Sequence, residues 1–230
     1  MIVAIDGPAG SGKGTVTKEI AKRMGLINLD TGATYRCVAL ASLKHGIKLE
    51  EEDKIVSLID DLDIEFKYDK DDFIRVYLNG EEVTNEIRSF EVNKIVSPIS
   101  SIVRVRLKMV DLQRKMAEGK DVIMEGRDIG TYVFPKADVK IYLDASIEER
   151  ANRRYKQNLE KGINESYEEV LENIKQRHIL ETTRKISPLR KADDAILVDS
   201  TNLTIEEVKQ EVLKIIKEKT GDYNNGKGDC

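Results

Sequence analysis

The pattern of apolar and polar positions predicts an α/β protein. Five short apolar runs have the length of buried strands, at residues 2–5, 26–29, 122–124, 139–143 and 195–198. Between the first two runs, residues 13–24 are predicted to form a helix, with Val16, Ile20 and Met24 on one face and Gly25 as the helix-ending residue. Helical patterns separate nearly all of the remaining runs. This alternation predicts a parallel sheet with helices on both faces.

One region departs from that alternation. Residues 63–68 and 73–78 alternate apolar and charged side chains, and Asn79-Gly80 after them favours a tight hairpin turn. A further short run at residues 82–84 completes the pattern. We expect a small antiparallel sheet inserted into the α/β domain, although an ordinary edge hairpin without a catalytic role would show the same sequence.

The same patterns give predicted domain boundaries. The charged, helical stretch that begins after residue 144 suggests a lid, and the last residues are polar and glycine-rich. The predicted parts are a core (residues 1–62, 93–149 and 185–220), an acceptor-binding insert (63–92), a helical lid (150–184) and a flexible tail (221–230).

Composition narrows the class of protein. The 230 residues are 40% hydrophobic and 35% charged with a net charge of −4, which argues against a general nucleic-acid binder. Two distant cysteines, Cys37 and Cys230, make neither a disulfide scaffold nor a zinc site. The N-terminal run lacks a basic region before it, and no stretch approaches the roughly 20 apolar residues that span a bilayer. We expect a cytoplasmic protein with no nucleic-acid or membrane partner.

The strongest chemical signal follows the first predicted strand. Residues 7–15 match the glycine-rich phosphate-binding loop (P-loop), and they open a predicted helix as that motif requires. Glycines let the backbone wrap a phosphate, helix N–H groups face the anion, and Lys13 adds a full charge. The expected nucleotide-binding residues are Gly7, Pro8, Ala9, Gly10, Ser11, Gly12, Lys13, Gly14 and Thr15.

The loop departs from the strict pattern at one position. Gly14 stands where many P-loop proteins place a serine or threonine that holds magnesium. Thr15 is the next hydroxyl and our candidate metal ligand, and Glu125, at the end of an apolar run, is a weaker candidate. His45 and His178 form no pair that would support a metal site or a histidine-based nucleophile.

Three further segments give the chain its resemblance to a family. The P-loop variant with Gly14, residues 29–36 (LDTGATYR), residues 126–135 (GRDIGTYVFP) and residues 187–201 (SPLRKADDAILVDST) resemble, in this order, the bacterial cytidylate kinases. These enzymes carry an enlarged monophosphate-binding lobe, which the insert fits. The resemblance covers residues 1 to about 218 and implies transfer of the γ-phosphate of ATP to CMP or dCMP, with Mg²⁺, in pyrimidine nucleotide metabolism by a monomer.

The resemblance also implies roles for particular residues. Thr31, Tyr35 and Arg36 would line the phosphate side of the acceptor. Arg127 would hold that phosphate, and Arg177 would lie near the sugar. The set around the cytosine and its phosphate would be Ser97, Arg106, Asp128 and Arg184. The catalytic set would be Lys13, Arg127, Asp128, Arg150 and Arg154, the last two of them in the lid.

Two positions depart from the family. Acidic residues are usual after the arginine at 177 and four positions beyond that arginine, where this chain has His178 and Glu181. Glu181 can still accept a hydrogen bond from a ribose hydroxyl, so the preference between ribose and deoxyribose stays open. A UMP or AMP kinase and a non-catalytic nucleotide sensor are the alternatives. A GTPase would normally carry an Asn-Lys-x-Asp stretch, which this sequence lacks.

Overall fold

A computed structural model describes residues 1–68 and 74–221. Its strands are β1 (Ile2–Asp6), β2 (Ile27–Asp30), β3 (Ile64–Tyr68), β4 (Ile74–Leu78), β5 (Glu81–Glu82), β6 (Val122–Gly126), β7 (Val139–Asp144) and β8 (Ile196–Asp199). Its α-helices are α1 (Lys13–Met24), α2 (Thr31–Lys44), α3 (Glu52–Asp60), α4 (Phe90–Ser101), α5 (Val103–Ala117), α6 (Ile147–Glu160), α7 (Tyr167–Thr183) and α8 (Ile205–Thr220). A 3-10 turn (Glu86–Arg88) and a π-helical turn (Ile129–Val133) complete the elements.

The larger sheet has five strands in the order β2-β6-β1-β7-β8. Strand β1 pairs in parallel with both β6 and β7, and β7 pairs in parallel with β8. The predicted parallel sheet with helices is therefore confirmed. Strand β1 is the central strand, and its carboxyl end leads into residues 7–12. The P-loop therefore begins at the middle of the row that the carboxyl ends of the parallel strands form.

One core joins this sheet to α1 and α8. Alternate side chains of the strands, such as Val3, Ile5 and Ile123, are fully buried against apolar side chains of the two helices. The helix α1 occupies the predicted bounds, and its buried Val16 and Ile20 lie four residues apart, as helical spacing requires.

The helices α6 and α7 form a hairpin of their own. Ala151 of α6 packs with Val170 and Ile174 of α7, and the rings of Tyr155 and Tyr167 meet edge to face with centroids 6.1 Å apart. The predicted helical character of residues 150–184 is confirmed for most of the segment, while its action as a lid stays a prediction.

The antiparallel sheet has the order β3-β4-β5, as the alternation predicted. Ile64 pairs with Leu78 and Tyr68 with Ile74, and Asn79-Gly80 makes the turn to β5. The second hairpin strand is described from Ile74, and both residue 73 and the predicted connection at 69–72 lie outside the described residues. The third strand is shorter than predicted, and Thr84 instead accepts a hydrogen bond from the Val76 amide at 3.0 Å.

The compact units differ from the predicted domain boundaries. One unit comprises residues 1–28 and 119–230, and the other comprises residues 29–118. The second unit is larger than the predicted insert at 63–92, because α2 to α5 share one hydrophobic core with the small sheet. Of the predicted tail at 221–230, all but Gly221 lies outside the described residues. Within residues 1–68 and 74–221, we find no helix that is both long and apolar enough to cross a membrane.

The packing of the larger sheet predicts a stability effect. Ile123 is fully buried in β6, whereas Leu197 is 55% exposed in β8. Replacing Ile123 with alanine removes buried apolar surface and leaves a cavity, so we expect a loss of about 2–5 kcal/mol in the free energy of unfolding. Leu197→Ala is the control and should change it by only about 0.5 kcal/mol. Urea denaturation of both variants measures this, and equal effects would contradict the assigned core.

Candidate active site

The backbone of the P-loop packs too closely for side chains at two positions. A Cβ atom on Gly7 would stand 2.0 Å from the carbonyl oxygen of Leu143, at the end of β7, and φ of Gly7 is 153°. A Cβ on Gly10 would stand 2.9 Å from the carbonyl oxygen of Arg150 in α6. Glycine is required at both places, so the loop is held against β7 and α6 by its main chain.

Lys13 is buried at the start of α1 and turns back onto this loop. Its Nζ donates to the carbonyl oxygens of Gly7 at 2.7 Å and Pro8 at 2.8 Å. Burial and, next, the charge of Arg127 lower the pKa of Lys13 to about 7, although Glu125 acts in the opposite direction. The ammonium is therefore costly without an anion, and a bound phosphate would favour its charged form.

The helix α6 supports the loop through two arginines. Arg150 is buried and donates from Nε to Ala145 O at 3.1 Å and from Nη1 to Ala9 O at 3.3 Å. Arg153 donates from Nη1 to Ser11 O at 3.4 Å and from Nη2 to Ser200 O at 2.6 Å. Burial lowers the pKa of Arg150. The structure thus uses Arg150 as a brace on carbonyl oxygens, and sequence reasoning did not assign Arg153 at all.

The surroundings of Gly14 explain the missing hydroxyl. A Cβ there would lie 3.1 Å from Oε1 of Glu125, at the carboxyl end of β6, and the hydroxyl of Thr17 lies 3.4 Å from the same oxygen. A larger side chain at position 14 would crowd this carboxylate. Thr15, the predicted metal ligand, is exposed in the first turn of α1. In the described residues no three or more His, Cys, Asp and Glu side chains gather as a ready metal cluster.

Glu181 brings two of the predicted arginines together. Its Oε2 lies 2.8 Å from Nε of Arg127, and its Oε1 accepts from Nε of Arg177 at 2.9 Å, one helical turn away in α7. Burial alone would raise the pKa of Glu181, but the two guanidinium groups outweigh it and lower that pKa to about 2. The carboxylate therefore stays charged and fixes Arg127 and Arg177 beside one another.

Asp128 and Arg184 form a second buried pair in the same unit. Oδ1 of Asp128 lies 3.6 Å from Nη2 of Arg184, and both side chains are less than a tenth exposed. Arg184 also donates from Nε to the carbonyl oxygen of Ser187 at 2.7 Å. Arg154 is half-buried on α6, and the carbonyl oxygen of His178 on α7 accepts a hydrogen bond from the Thr182 hydroxyl.

The second unit holds the remaining predicted residues. Arg36 of α2 donates from Nη2 to Oδ2 of Asp30 at 2.6 Å. Arg106 of α5 is buried with its guanidinium 5.5 Å from the centre of the Tyr35 ring. The other predicted members of this unit are the buried Thr31 and the half-buried Ser97.

Asp30 is held as an anion at the start of α2. Burial opposes its charge, but Arg36 and Arg88 lower the pKa of Asp30 below its usual value. Sequence reasoning did not assign this carboxylate, although its position before a predicted helix was a signal for a capping residue. It accepts a hydrogen bond from the Ala33 amide at 3.0 Å, and so fixes both the helix start and the Arg36 side chain.

These features define the class of protein to which the chain belongs. A central parallel strand leads through a glycine loop into a helix, and the loop's lysine is buried within reach of the charges of Arg127 and Glu181, which form an ion pair. This combination serves transfer of a phosphoryl group from a nucleotide, in which the protein supplies position and positive charge. The chain is a P-loop kinase.

Comparison with known proteins specifies the family. The profile of the cytidylate kinase family matches residues 3–218, so the chain belongs to the cytidylate kinases. A cytidylate kinase of Caldicellulosiruptor saccharolyticus is 48% identical over 96% of this chain and 97% of its own length, and one of Vibrio cholerae is 44% identical over 95% and 96%. A shikimate kinase structure from Acinetobacter baumannii is 17% identical with a TM-score of 0.46 over 95% of this chain, too weak a likeness to bear on the assignment.

The lowered pKa of Lys13 predicts proton uptake on nucleotide binding. Because burial lowers this pKa to about 7, a large fraction of the Lys13 side chains is neutral at pH 8 in the free protein. Phosphate oxygens favour the ammonium, so binding of ADP at pH 8 should take up protons, and binding at pH 6 should take up fewer. Calorimetric titrations in two buffers of different ionisation enthalpy measure this uptake.

The control for that measurement is a lysine on the same helix. Lys18→Met should leave the proton uptake unchanged, because Lys18 lies outside the loop. Equal binding heats in the two buffers for the unmodified protein would show that Lys13 is already charged before the nucleotide arrives.

The ion pairs of Glu181 predict a pH-dependent stability. A pKa lowered from 4.5 to about 2 contributes stability that is present above about pH 4.5 and is lost as the pH falls towards 2. Glu181→Gln should therefore lower the free energy of unfolding at pH 7 by on the order of 3 kcal/mol, with a smaller difference at pH 3. Denaturation at both pH values measures the effect. Glu172→Gln, at an exposed position of α7, is the matched control, and a pH-independent loss would refute the ionic explanation.

Proposed function

We propose that the chain transfers the γ-phosphate of ATP to CMP or dCMP, which gives ADP and CDP or dCDP. The observation that carries the proposal is the buried Lys13 in a P-loop whose unit also holds the Arg127–Glu181–Arg177 group, in a chain of the cytidylate kinase family. In the reaction an acceptor phosphate oxygen forms a bond to the γ-phosphorus, and the bond from that phosphorus to the β-phosphate oxygen breaks. The proposal includes a monomer that works in the cytoplasm.

The donor side of the proposal uses the P-loop. Backbone N–H groups of residues 7–15 and the N-terminus of α1 face the phosphates of ATP, and Lys13 reaches the β- and γ-phosphates. Because the loop is packed against β7 and α6, its donors need little reorganisation when the nucleotide binds. Arg150 and Arg153 support this geometry by binding carbonyl oxygens of the loop.

Magnesium fits the oxygen donors beside Gly14. Glu125 lies close to the position that a side chain at 14 would occupy, and the hydroxyl of Thr17 lies 3.4 Å from its Oε1. Thr15 follows Gly14 in the chain. Carboxylate and hydroxyl oxygens suit Mg²⁺, which keeps several waters when it binds to proteins. When bound, the ion would neutralise charge on the ATP phosphates. Glu125 is thus the stronger candidate to hold it, and Thr15 the weaker.

The acceptor side of the proposal uses the buried ion pairs. Asp128 can accept a hydrogen bond from the exocyclic amino group of cytosine, which uracil lacks, and Arg184 keeps its carboxylate in place. Arg127 would grip the acceptor phosphate, because a guanidinium binds phosphate through two parallel hydrogen bonds. Arg177 and Glu181 would contact the sugar. The residues of the second unit assigned to the acceptor are Thr31, Tyr35, Arg36, Ser97 and Arg106.

The order of these charges suits phosphoryl transfer. Glu181 holds Arg127 and Arg177 in place while no acceptor is bound, so the two side chains lose little conformational entropy when the acceptor binds. An incoming phosphate would compete with Glu181 for Arg127. It would also bring a negative charge close to Lys13, which favours the ammonium form of that side chain. Arg154 would add charge from α6, as the resemblance implies.

A panel of acceptors tests the proposal. With ATP and Mg²⁺ present, ADP release should be rapid with CMP and dCMP and at least about a hundredfold slower with UMP, because a site built to pair with an amino group rejects a base without it. AMP and GMP carry an amino group on a larger purine ring, in a different place from that of cytosine, and they should also be poor acceptors. Lys13→Ala is the control and should nearly abolish turnover while the circular dichroism spectrum stays unchanged. Turnover with another monophosphate alone would keep a kinase but refute the roles of Asp128 and Arg184. ATP binding without turnover on any acceptor would favour a nucleotide sensor.

A further inference from the structure

A buried carboxylate outside the predicted site holds the segment that carries Arg127 and Asp128. Asp6 is the last residue of β1 and is 5% exposed. Its Oδ1 accepts the Ile129 amide at 2.8 Å and its Oδ2 accepts the Gly130 amide at 2.7 Å. The two carboxylate oxygens thus bind the amides of the two residues that directly follow Asp128.

Lys140 of β7 closes the other side of the same segment. A Cβ atom on Gly130 would lie 3.1 Å from Cδ of Lys140 and 3.4 Å from Oδ2 of Asp6, so the glycine fits between the two side chains. The Lys140 ammonium donates to Pro135 O at 2.6 Å and pairs with Asp194 at 2.7 Å. We name Asp6, Gly130 and Lys140 the clamp.

The charge of Asp6 costs free energy, because the carboxylate is buried. Burial raises the pKa of Asp6 to about 6, against the lowering effect of its two amide donors, and the nearby Asp128 raises it further. A neutral polar side chain could end a strand at less cost. A carboxylate is the side chain that can accept from two consecutive amides at once, and this is what the geometry requires of it.

We propose that the clamp positions Asp128, and through it sets the affinity for the acceptor nucleotide. The turn after Asp128 is irregular, because residues 129–133 form a π-helical turn and Asp128 itself has φ −148° and ψ 22°. Such a turn is not fixed by local propensity, so outside partners must select it. Asp6 is therefore a positioning residue for acceptor recognition, and this inference rests on the role proposed for Asp128.

Two variants separate position from charge. Asp6→Asn keeps the size of the side chain but turns one acceptor into a donor that faces an amide, so one hydrogen bond is lost and a clash of donors replaces it. Asp6 also favours the charged form of Lys13, so this variant alone would mix two effects. Gly130→Ala keeps every charge and pushes a methyl group between Asp6 and Lys140. Both should raise KM for CMP, Asp6→Asn by about tenfold or more. Gly130→Ala, which leaves the charge beside Lys13 in place, should also keep KM for ATP within about twofold.

The controls address folding and specificity. Asp199→Asn makes the same substitution at the end of β8, where the exposed carboxylate accepts from the Thr201 amide at 2.9 Å, and it should leave both KM values unchanged. Thermal unfolding of each variant shows whether the fold survives. If Asp6→Asn does not fold, then Gly130→Ala and Lys140→Met, which removes the ammonium and keeps the stem, carry the test alone.

The double variant separates this inference from the proposed function. Asp128→Asn alone should impair use of CMP, and adding Asp6→Asn to it should cost much less than Asp6→Asn costs by itself, because the two act through one residue. If Asp128→Asn impairs the enzyme while Asp6→Asn and Gly130→Ala do not, only the clamp is refuted. If Asp128→Asn has no effect, the role of Asp128 is refuted and the clamp with it. Equal rises in KM for ATP and CMP would show a general structural role.

Discussion

The main-chain packing of the P-loop is the constraint on which the remaining features of the first unit depend. Gly7 and Gly10 leave no room for a side chain against Leu143 O and Arg150 O, so β7 and α6 determine the path of the loop. Lys13 then turns back onto the carbonyl oxygens of that path. Phosphate-binding amides are useful only if they already point at the anion, and a loop wedged by its own backbone meets this condition before any nucleotide arrives.

The first unit also holds positive charges close together, and their mutual repulsion costs free energy while no anion is bound. Arg127 lowers the pKa of Lys13, which shows that the two cations repel one another in the absence of an anion. Glu181 offsets part of this repulsion by pairing with Arg127 and Arg177. A polyanionic substrate would relieve the remainder, so binding and charge neutralisation reinforce each other. Strain of this kind is common where a protein must bind a highly charged ligand.

Local sequence rules predicted the local structure well. The strands before and after the P-loop, the bounds of α1 and the hairpin at Asn79-Gly80 follow from apolar periodicity and turn chemistry, which depend on near neighbours in the chain. The compact unit of residues 29–118 is larger than the insert predicted at 63–92, because a core shared by α2 to α5 and the small sheet is a property of tertiary packing. The same limit explains Asp6. Its partners lie 123 and 124 residues away, and no short motif announces them.

The arginines show why residue type alone gave an incomplete account of the site. Arg150, Arg153 and Arg154 all lie on α6 and each is positively charged. The first two nevertheless bind carbonyl oxygens of the loop and its surroundings. A guanidinium has five donors, so it can brace a backbone as readily as it can grip a phosphate. What separates the two uses is whether carbonyl oxygens or a carboxylate lie within reach. Arg127 lies beside a carboxylate that a phosphate can replace, whereas Arg150 is committed to main-chain oxygens that stay where they are. The proposed function therefore assigns the change of partner on substrate binding to Arg127, and it assigns to Arg150 the support of the loop.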